Sequence, residues 1–324
     1  MSSDAHVDVL IVGAGISGIG AAWHLLHRCP GRTFTILEGR DDIGGTWDLF
    51  RYPGVRSDSD MHTLGYEFRP WEADDAIADG PAIMQYLRDT VAEEGIGPHI
   101  RFGHRVTTAD WSGADARWTV RATDPDGTEV VLTANYLFVC AGYYSYRHGY
   151  TPDIPGLDRF TGPVVHPQEW PEDLEIDGRR IVVIGSGATA MTLVPALAER
   201  GARVTMLQRS PTYVISRPRV DRVAIALRRI LPAKVAYRIT RFKNTTLQQF
   251  FYRRARERPE EAKAHLLGRV AEELPGVDIA THFTPSYAPW DQRICLVPDG
   301  DLFAAIRSGR VDVVTDRIDH VDEA

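Results

Sequence analysis

The run Val7-Asp8-Val9-Leu10-Ile11-Val12 is followed at once by Gly13-Ala14-Gly15-Ile16-Ser17-Gly18 and then by the helical pattern Ile19 to Arg28. A short apolar strand, a three-glycine turn and a helix together open a βαβ unit, and few other folds accept that order. Gly13 permits the tight turn, Gly15 lets the backbone approach a pyrophosphate, and Gly18 lets the helix pack close to the strand. The first helical N–H groups then point at the phosphates. A second strand, Thr33 to Leu37, ends in Glu38, whose carboxylate is placed for ribose hydroxyls. The whole unit predicts a dinucleotide site.

The pattern recurs. Arg180 to Ile184 leads into Gly185-Ser186-Gly187-Ala188-Thr189-Ala190 and a helical stretch to Glu199, with Ala190 as the small third residue. The next strand, Val204 to Leu207, ends in Gln208-Arg209 where the first unit ends in an acid. A carboxylate there would repel a 2′-phosphate, whereas the Arg209 guanidinium accepts one, so the second site should prefer NADPH to NADH.

At 324 residues, 44% hydrophobic and 25% charged, the chain suits two ordinary domains. No run reaches the roughly eighteen apolar residues that span a bilayer, and the N-terminus shows no basic stretch or cleavage site of a secretory leader. Cys29, Cys140 and Cys295 are odd in number and far apart, so a cytoplasmic location is expected and no disulfide framework or C-x-x-C pair is possible. Cys140, closing the run Tyr136 to Val139, is expected as a buried strand residue and not a nucleophile. No His/Cys cluster has metal spacing, so no metal is expected, and His62, His99 and His104 are read as surface or core residues.

Between Arg217 and Arg258 lie thirteen Lys or Arg against two acids, a net of +11 that leaves −18 elsewhere in a chain of net −7. Apolar residues at Val223, Leu227, Ile230, Leu231, Val235, Ile239 and Phe242 recur at helical spacing. The favoured reading is a solvated helical face packed on its domain; the others are peripheral contact with anionic lipid and a basic wall steering NADPH. Nucleic acid is not expected, because no recognition motif accompanies the charge. Glu72, Asp74, Asp75 and Asp79 are read as a solvated loop.

Phe160-x-Gly162-x-x-x-His166-x-x-x-Trp170-Pro171 stands between the two turns. This string resembles the fingerprint of class B flavoprotein monooxygenases of the Baeyer–Villiger type. Asp42 to Trp47, Arg51 to Asp58, Gln208 to Tyr213 and Trp290 to Leu296 look like the same family, most of all its mycobacterial-type FAD-containing members. The resemblance extends from Val7 onward and covers roughly the first two-thirds of a family member, so the FAD domain looks incomplete at the C-terminus, which should leave apolar sheet surface uncovered.

The resemblance implies an α/β chain with two Rossmann-like dinucleotide-binding domains: an FAD portion over 1–150, a fingerprint linker over 151–178, and an NADPH domain over 179–324 with a helical insertion at about 215–285. Gly45, Thr46 and Trp47 would lie against the flavin. Arg293 matches the arginine that meets the reactive flavin, and Asp58 the aspartate that holds it. Gln292 stands where many members carry a lysine for the NADP phosphate, which would leave that contact more to Arg209. The implied reaction uses FAD, NADPH and O2 to insert one oxygen atom into a small hydrophobic ketone, or to oxidise sulfur, through a flavin C4a-peroxide, with His166 and Trp170 coupling movement between the domains. An uncoupled NADPH oxidase and a nonenzymatic nucleotide-binding remnant share the same two turns and stand as alternatives.

Overall fold

The computed structural model describes residues 5–323. In chain order the first elements are β1 (Ala5–Val12), α1 (Ile16–Arg28), β2 (Phe34–Leu37), α2 (Thr46–Leu49), α3 (Met61–Leu64) and α4 (Gly80–Glu93). Four strands follow, β3 (Ile100–Arg101), β4 (Arg105–Ser112), β5 (Arg117–Thr123) and β6 (Glu129–Val139). After a long irregular stretch come β7 (Arg180–Ile184), α5 (Ala188–Glu199), β8 (Arg203–Gln208) and β9 (Tyr213–Arg217). The remainder comprises α6 (Arg222–Ile230), α7 (Ala233–Glu257), α8 (Pro259–Glu273), α9 (Ile279–His282), β10 (Ile294–Pro298), α10 (Asp301–Arg307) and β11 (Val311–Thr315).

Contacts divide the chain into two units, one running through Phe50 and again from Gly80 to Gly149, the other combining Arg51–Asp79 with everything from Tyr150. The first holds one sheet in the order β3-β2-β1-β6-β5-β4. Its β1, β2, β3 and β6 are parallel, while β4 and β5 fold back antiparallel onto β6. Leu10, Leu37, Val120, Ala122, Leu132 and Ala134 form a core shared by the parallel and antiparallel halves. Beyond Ala134 the outward residues of β6, Tyr136 and Phe138, are exposed, a face that parallel sheets ordinarily cover with helices.

Cys140 departs from its expected placing. It lies just past β6 and is half-buried, its N–H donating to the Val12 carbonyl at 2.8 Å to extend the β1–β6 pairing. Partial burial pushes its thiol pKa up, which keeps it protonated and unreactive.

The second unit carries a parallel sheet in the order β11-β8-β7 and a separate parallel pair, β10-β9. Helices α6 to α9 lie in sequence between the two strands of that pair, so the insertion is an excursion from β9 to β10. Its expected start at 215 falls within β9, because Tyr213 to Arg217 finds ladder partners in Ile294 to Pro298.

The expected 1–150 boundary is also corrected, since 51–79 belongs to the second unit. Two contacts explain the transfer. A Cβ on Gly54 would lie 2.5 Å from the Thr192 carbonyl oxygen of α5, an approach only glycine allows, and Arg56 forms an ion pair with Asp301 at the start of α10.

The buried face of α6 and α7 is not the apolar stripe read from the sequence. Val223, Ile230, Val235, Ile239 and Phe242 are exposed, and Ala224, Ala236, Tyr237 and Thr240 are buried instead. Many of the cations are held: Arg219, Arg228, Lys243, Arg254, Arg256 and Arg258 are ion-paired, and Arg241 donates to the carbonyls of His62 and Thr63. Asp74 and Asp75 are partners in this network with Arg228 and Arg219, so that acidic stretch is more than a solvated loop. Among the described residues no helix is long and apolar enough to cross a membrane.

Candidate functional site: two dinucleotide cradles and an arginine loop

In the first unit β1 delivers the chain into the glycine turn, and α1 starts from Gly15 without any side-chain cap. A helix N-terminus without a side-chain cap behind a glycine turn suits an anion. Gly18 is fixed by packing, because a Cβ there would lie 1.9 Å from the Gly13 carbonyl oxygen. The Gly13 N–H donates to the Leu37 carbonyl at 2.8 Å, which ties the turn to the end of β2.

Glu38, at that end, is buried. Its Oε2 accepts from the Ala14 N–H at 2.7 Å and its Oε1 from the Arg40 N–H at 3.0 Å. Each oxygen keeps a lone pair, so the carboxylate braces the turn and can still accept a hydroxyl.

Gly45, Thr46 and Trp47 open α2 beside this turn, with a Cβ on Gly45 only 3.3 Å from both the Gly15 Cα and the Tyr146 hydroxyl. Sequence reasoning missed three residues here. Arg40 Nε donates to Asp48 Oδ2 at 3.1 Å, and the Arg40 guanidinium stands 5.6 Å from the Tyr146 ring centre. Burial, with the charges of Glu38 and Asp48, pushes the Tyr146 phenol up against the opposing pull of Arg40. Arg40 and Asp48 carry no sequence signal beyond opposite charge.

The second cradle repeats the geometry within its own unit. Gly187 begins α5 with no side-chain cap, and the Gly185 N–H donates to the Leu207 carbonyl at 2.8 Å. Nothing lies within 4 Å of a Cβ built on Gly187, so the space beside the start of α5 is open there. Ala190, in the third-glycine position, is buried. An open, uncapped helix N-terminus of this kind suits a phosphate group held by backbone N–H donors.

The ends of the two second strands differ. Gln208 turns inward, its Nε2 donating to the His282 carbonyl at 2.7 Å and to Thr315 Oγ1 at 2.9 Å. It is a structural residue and leaves Arg209 alone at the mouth. Arg209 is exposed and makes no hydrogen bond or ion pair among the described residues.

The fingerprint residues lie in one irregular stretch of the second unit. The Phe160 ring packs close over Gly162, 2.7 Å from where a Cβ would lie. His166 Nδ1 accepts from the Gln168 N–H at 3.2 Å and caps a single turn over Pro167–Glu169, after which Trp170 leaves in an extended conformation.

Gln292 and Arg293 sit on an exposed loop entering β10. Asp291 anchors the loop by accepting from the Ala288 N–H at 3.2 Å and pairing with Arg256 of α7. Trp290 takes a left-handed φ of 69°, a strained setting for a bulky residue, and packs edge-on to Tyr252 at 5.7 Å.

The expected direct hold of Asp58 on Arg293 is not formed; both are exposed and neither is ion-paired among the described residues. They nevertheless reach one buried thiol. Cys295 is pushed up to about 11, chiefly by burial, with Arg293 lowering it and Asp58 raising it. Placing 51–79 in the second unit is what brings the carboxylate and the guanidinium to the same neighbourhood. Among the described residues no group of three or more His, Cys, Asp or Glu could hold a metal.

A model described as flavin-binding monooxygenase-like matches residues 70–264, and one for an NAD(P)-binding Rossmann-like domain matches 11–73. The chain belongs to the flavin-binding monooxygenase-like family. Among its relatives is the FAD-containing monooxygenase EthA of Mycobacterium tuberculosis (strain ATCC 25618 / H37Rv), 56% identical over 316 residues, which are 97% of this chain and 64% of that protein. A probable FAD-binding monooxygenase, AlmA of Acinetobacter baylyi, is 48% identical over 321 residues, 99% of this chain and 64% of that one.

The chain thus spans 64% of the length of these relatives. Solved structures agree on the fold. Oxidised steroid monooxygenase bound to NADP superposes with a TM-score of 0.78 at 27% identity, covering 96% of this chain and 65% of that one. Cyclohexanone monooxygenase with ε-caprolactone bound gives 0.77 at 26% identity, covering 96% and 67%.

Proposed function

We propose that this family member binds FAD at the first cradle and NADPH at the second, and inserts one oxygen atom of O2 into a ketone or onto a soft sulfur atom. The observation that carries the reading is the contrast between the cradles. Both present an uncapped helix N-terminus behind a glycine turn, but one ends in the buried carboxylate of Glu38 and the other in the unpaired guanidinium of Arg209. A carboxylate suits ribose hydroxyls and a guanidinium suits a 2′-phosphate.

When bound, the flavin and the nicotinamide supply the redox chemistry. This chain's own residues do the rest. The N–H groups opening α1 and α5 hold the phosphates, and Glu38 positions a ribose while bracing Ala14. Arg209, with Gln292 as a neutral second contact, selects the phosphorylated dinucleotide. Arg293 supplies a fixed positive charge for the oxyanion that develops when a carbonyl is attacked, an electrostatic stabilisation set in place beforehand. Asp58 sets the field around that guanidinium. His166 and Trp170, fixed within one turn, are suited to transmit movement along the fingerprint stretch.

A ketone substrate is supported by the ligands named in the cyclohexanone monooxygenase structures, cyclohexanone and ε-caprolactone, which differ by one ring oxygen. The test is to supply the FAD-loaded chain with NADPH, O2 and either cyclohexanone or a thioether, and to assay product and hydrogen peroxide together. Lactone or sulfoxide formed in proportion to NADPH supports the reading. Peroxide alone, or no NADPH consumption, contradicts it.

A further inference from the structure

In the first unit the stretch after β6 leads back to the glycine turn. The Cys140 N–H continues the pairing with Val12, and Gly142 turns the chain with a left-handed φ of 70°. Tyr144 packs edge-on to Phe50, at the end of α2, with ring centres 5.0 Å apart, and accepts from the Tyr143 hydroxyl at 3.3 Å. These contacts deliver Tyr146 to the other end of α2, where the Arg40 guanidinium stands 5.6 Å from its ring centre.

The Tyr146 hydroxyl makes no hydrogen bond among the described residues. It is not one of the fully buried side-chain oxygens either, so it keeps surface for a ligand. Two glycines define what it faces. A Cβ on Gly45 would lie 3.3 Å from the Tyr146 oxygen and 3.3 Å from the Gly15 Cα, and one on Gly15 would lie 3.7 Å from the Gly45 Cα. The hydroxyl and the turn that approaches a pyrophosphate therefore border one small space, which a side chain on Gly45 would fill.

A pyrophosphate carries only acceptors, so its neighbours must donate. Burial and the charges of Glu38 and Asp48 push the Tyr146 phenol up, which keeps it an O–H donor at neutral pH. Those carboxylates leave room for an anion, because Glu38 is held by the Ala14 and Arg40 N–H groups and Asp48 by the Arg40 guanidinium. The second cradle has no counterpart, since nothing lies within 4 Å of a Cβ on Gly185 or Gly187.

We infer that Tyr146 is a cofactor-binding residue of the first cradle, its hydroxyl donating a hydrogen bond to the pyrophosphate of bound FAD alongside the N–H groups of α1. The inference rests on the assignment of FAD to that cradle. It adds one side-chain donor to a site whose other donors are backbone, and a hydrogen bond to an ionised acceptor is among the stronger kinds.

The test measures FAD binding to the flavin-free chain by calorimetry, and FAD release from the loaded chain by the recovery of free-flavin fluorescence. Tyr146→Phe keeps the ring beside Arg40 and removes a hydroxyl that nothing in the free protein uses. The flavin-free variant should therefore melt with the parent, while its FAD dissociation constant rises about tenfold, the loss of one hydrogen bond to a charged group. The ³¹P resonances of bound FAD should shift between parent and variant, and NADPH affinity should not change. Tyr144→Phe, which touches only the contact with Tyr143, should leave FAD binding as it is. Should the flavin-free variant fail to fold, release from the loaded variant and its ³¹P spectrum decide the matter. FAD held equally or more tightly by Tyr146→Phe, unshifted ³¹P resonances, or an equal loss for NADPH would overturn the inference alone. A parent chain that takes up no FAD would instead remove the cradle assignment and the inference with it.

Discussion

Asp58 and Arg293 act with opposite sign on a single buried thiol, that of Cys295, although they come from opposite ends of the chain and form no ion pair with each other. The arginine is held by its loop: Asp291 pairs with Arg256 and Trp290 keeps a left-handed backbone. Its guanidinium forms no ion pair among the described residues, which suits the oxyanion role proposed for it.

Replacing that charge separates binding from chemistry. Arg293→Ala is expected to retain FAD and to bind NADPH as the parent does, yet to lose about 100-fold or more in oxygenated product, the scale seen when one oxyanion donor is removed. Parallel measurement of bound-flavin absorbance and product yield checks this; normal product from the variant would refute the role.

The glycines of the two turns should fail in different ways. Gly18→Ala forces a Cβ into the Gly13 carbonyl and is expected to cost about 3 kcal/mol of stability, as overpacking does. Gly187→Ala meets open space, so its melting temperature should stay near that of the parent while NADPH affinity falls. Thermal denaturation with and without NADPH distinguishes the two.

Arg209→Ala should raise the NADPH dissociation constant about 10- to 100-fold, the range for losing hydrogen bonds to a charged group, and leave NADH binding unchanged. Equal losses for both nucleotides would place the 2′-phosphate elsewhere.

His62 makes stability depend on pH. Burial holds its imidazole below the ordinary 6.5, with Asp60 and Asp221 opposing and Arg228 and Lys243 assisting. As pH falls through 6.5 the unfolded chain takes up a proton that the folded chain refuses, so stability drops and levels off only below the folded pKa. Urea denaturation should show this loss in the parent and its absence in His62→Phe; parallel pH curves would contradict it.

Both turns, their strands and the α/β architecture were legible because local residue types dictate them: apolar runs make buried strands, and glycine alone fits at Gly13 and Gly18. What escaped was tertiary. Nothing in Gln208 announces that its amide reaches His282 and Thr315, so only Arg209 remains of the predicted pair. The apolar stripe of α6 and α7 suggested a buried face, yet the helices bury Ala224, Ala236 and Tyr237, because small residues and one ring fit closer to the 61–79 stretch. The assignment of 51–79 to the second unit rests on contacts such as Gly54 with Thr192, which no local pattern encodes.

The most direct test of the whole account is an anaerobic titration of the FAD-reconstituted chain with NADPH, followed by the flavin absorbance band. Stoichiometric FAD uptake and bleaching by NADPH well ahead of NADH are the predicted result, since one cradle would hold the flavin and Arg209 would select the reductant. A chain that takes up no FAD, or whose bound flavin stays oxidised in excess NADPH, would contradict the assignment of the two cradles.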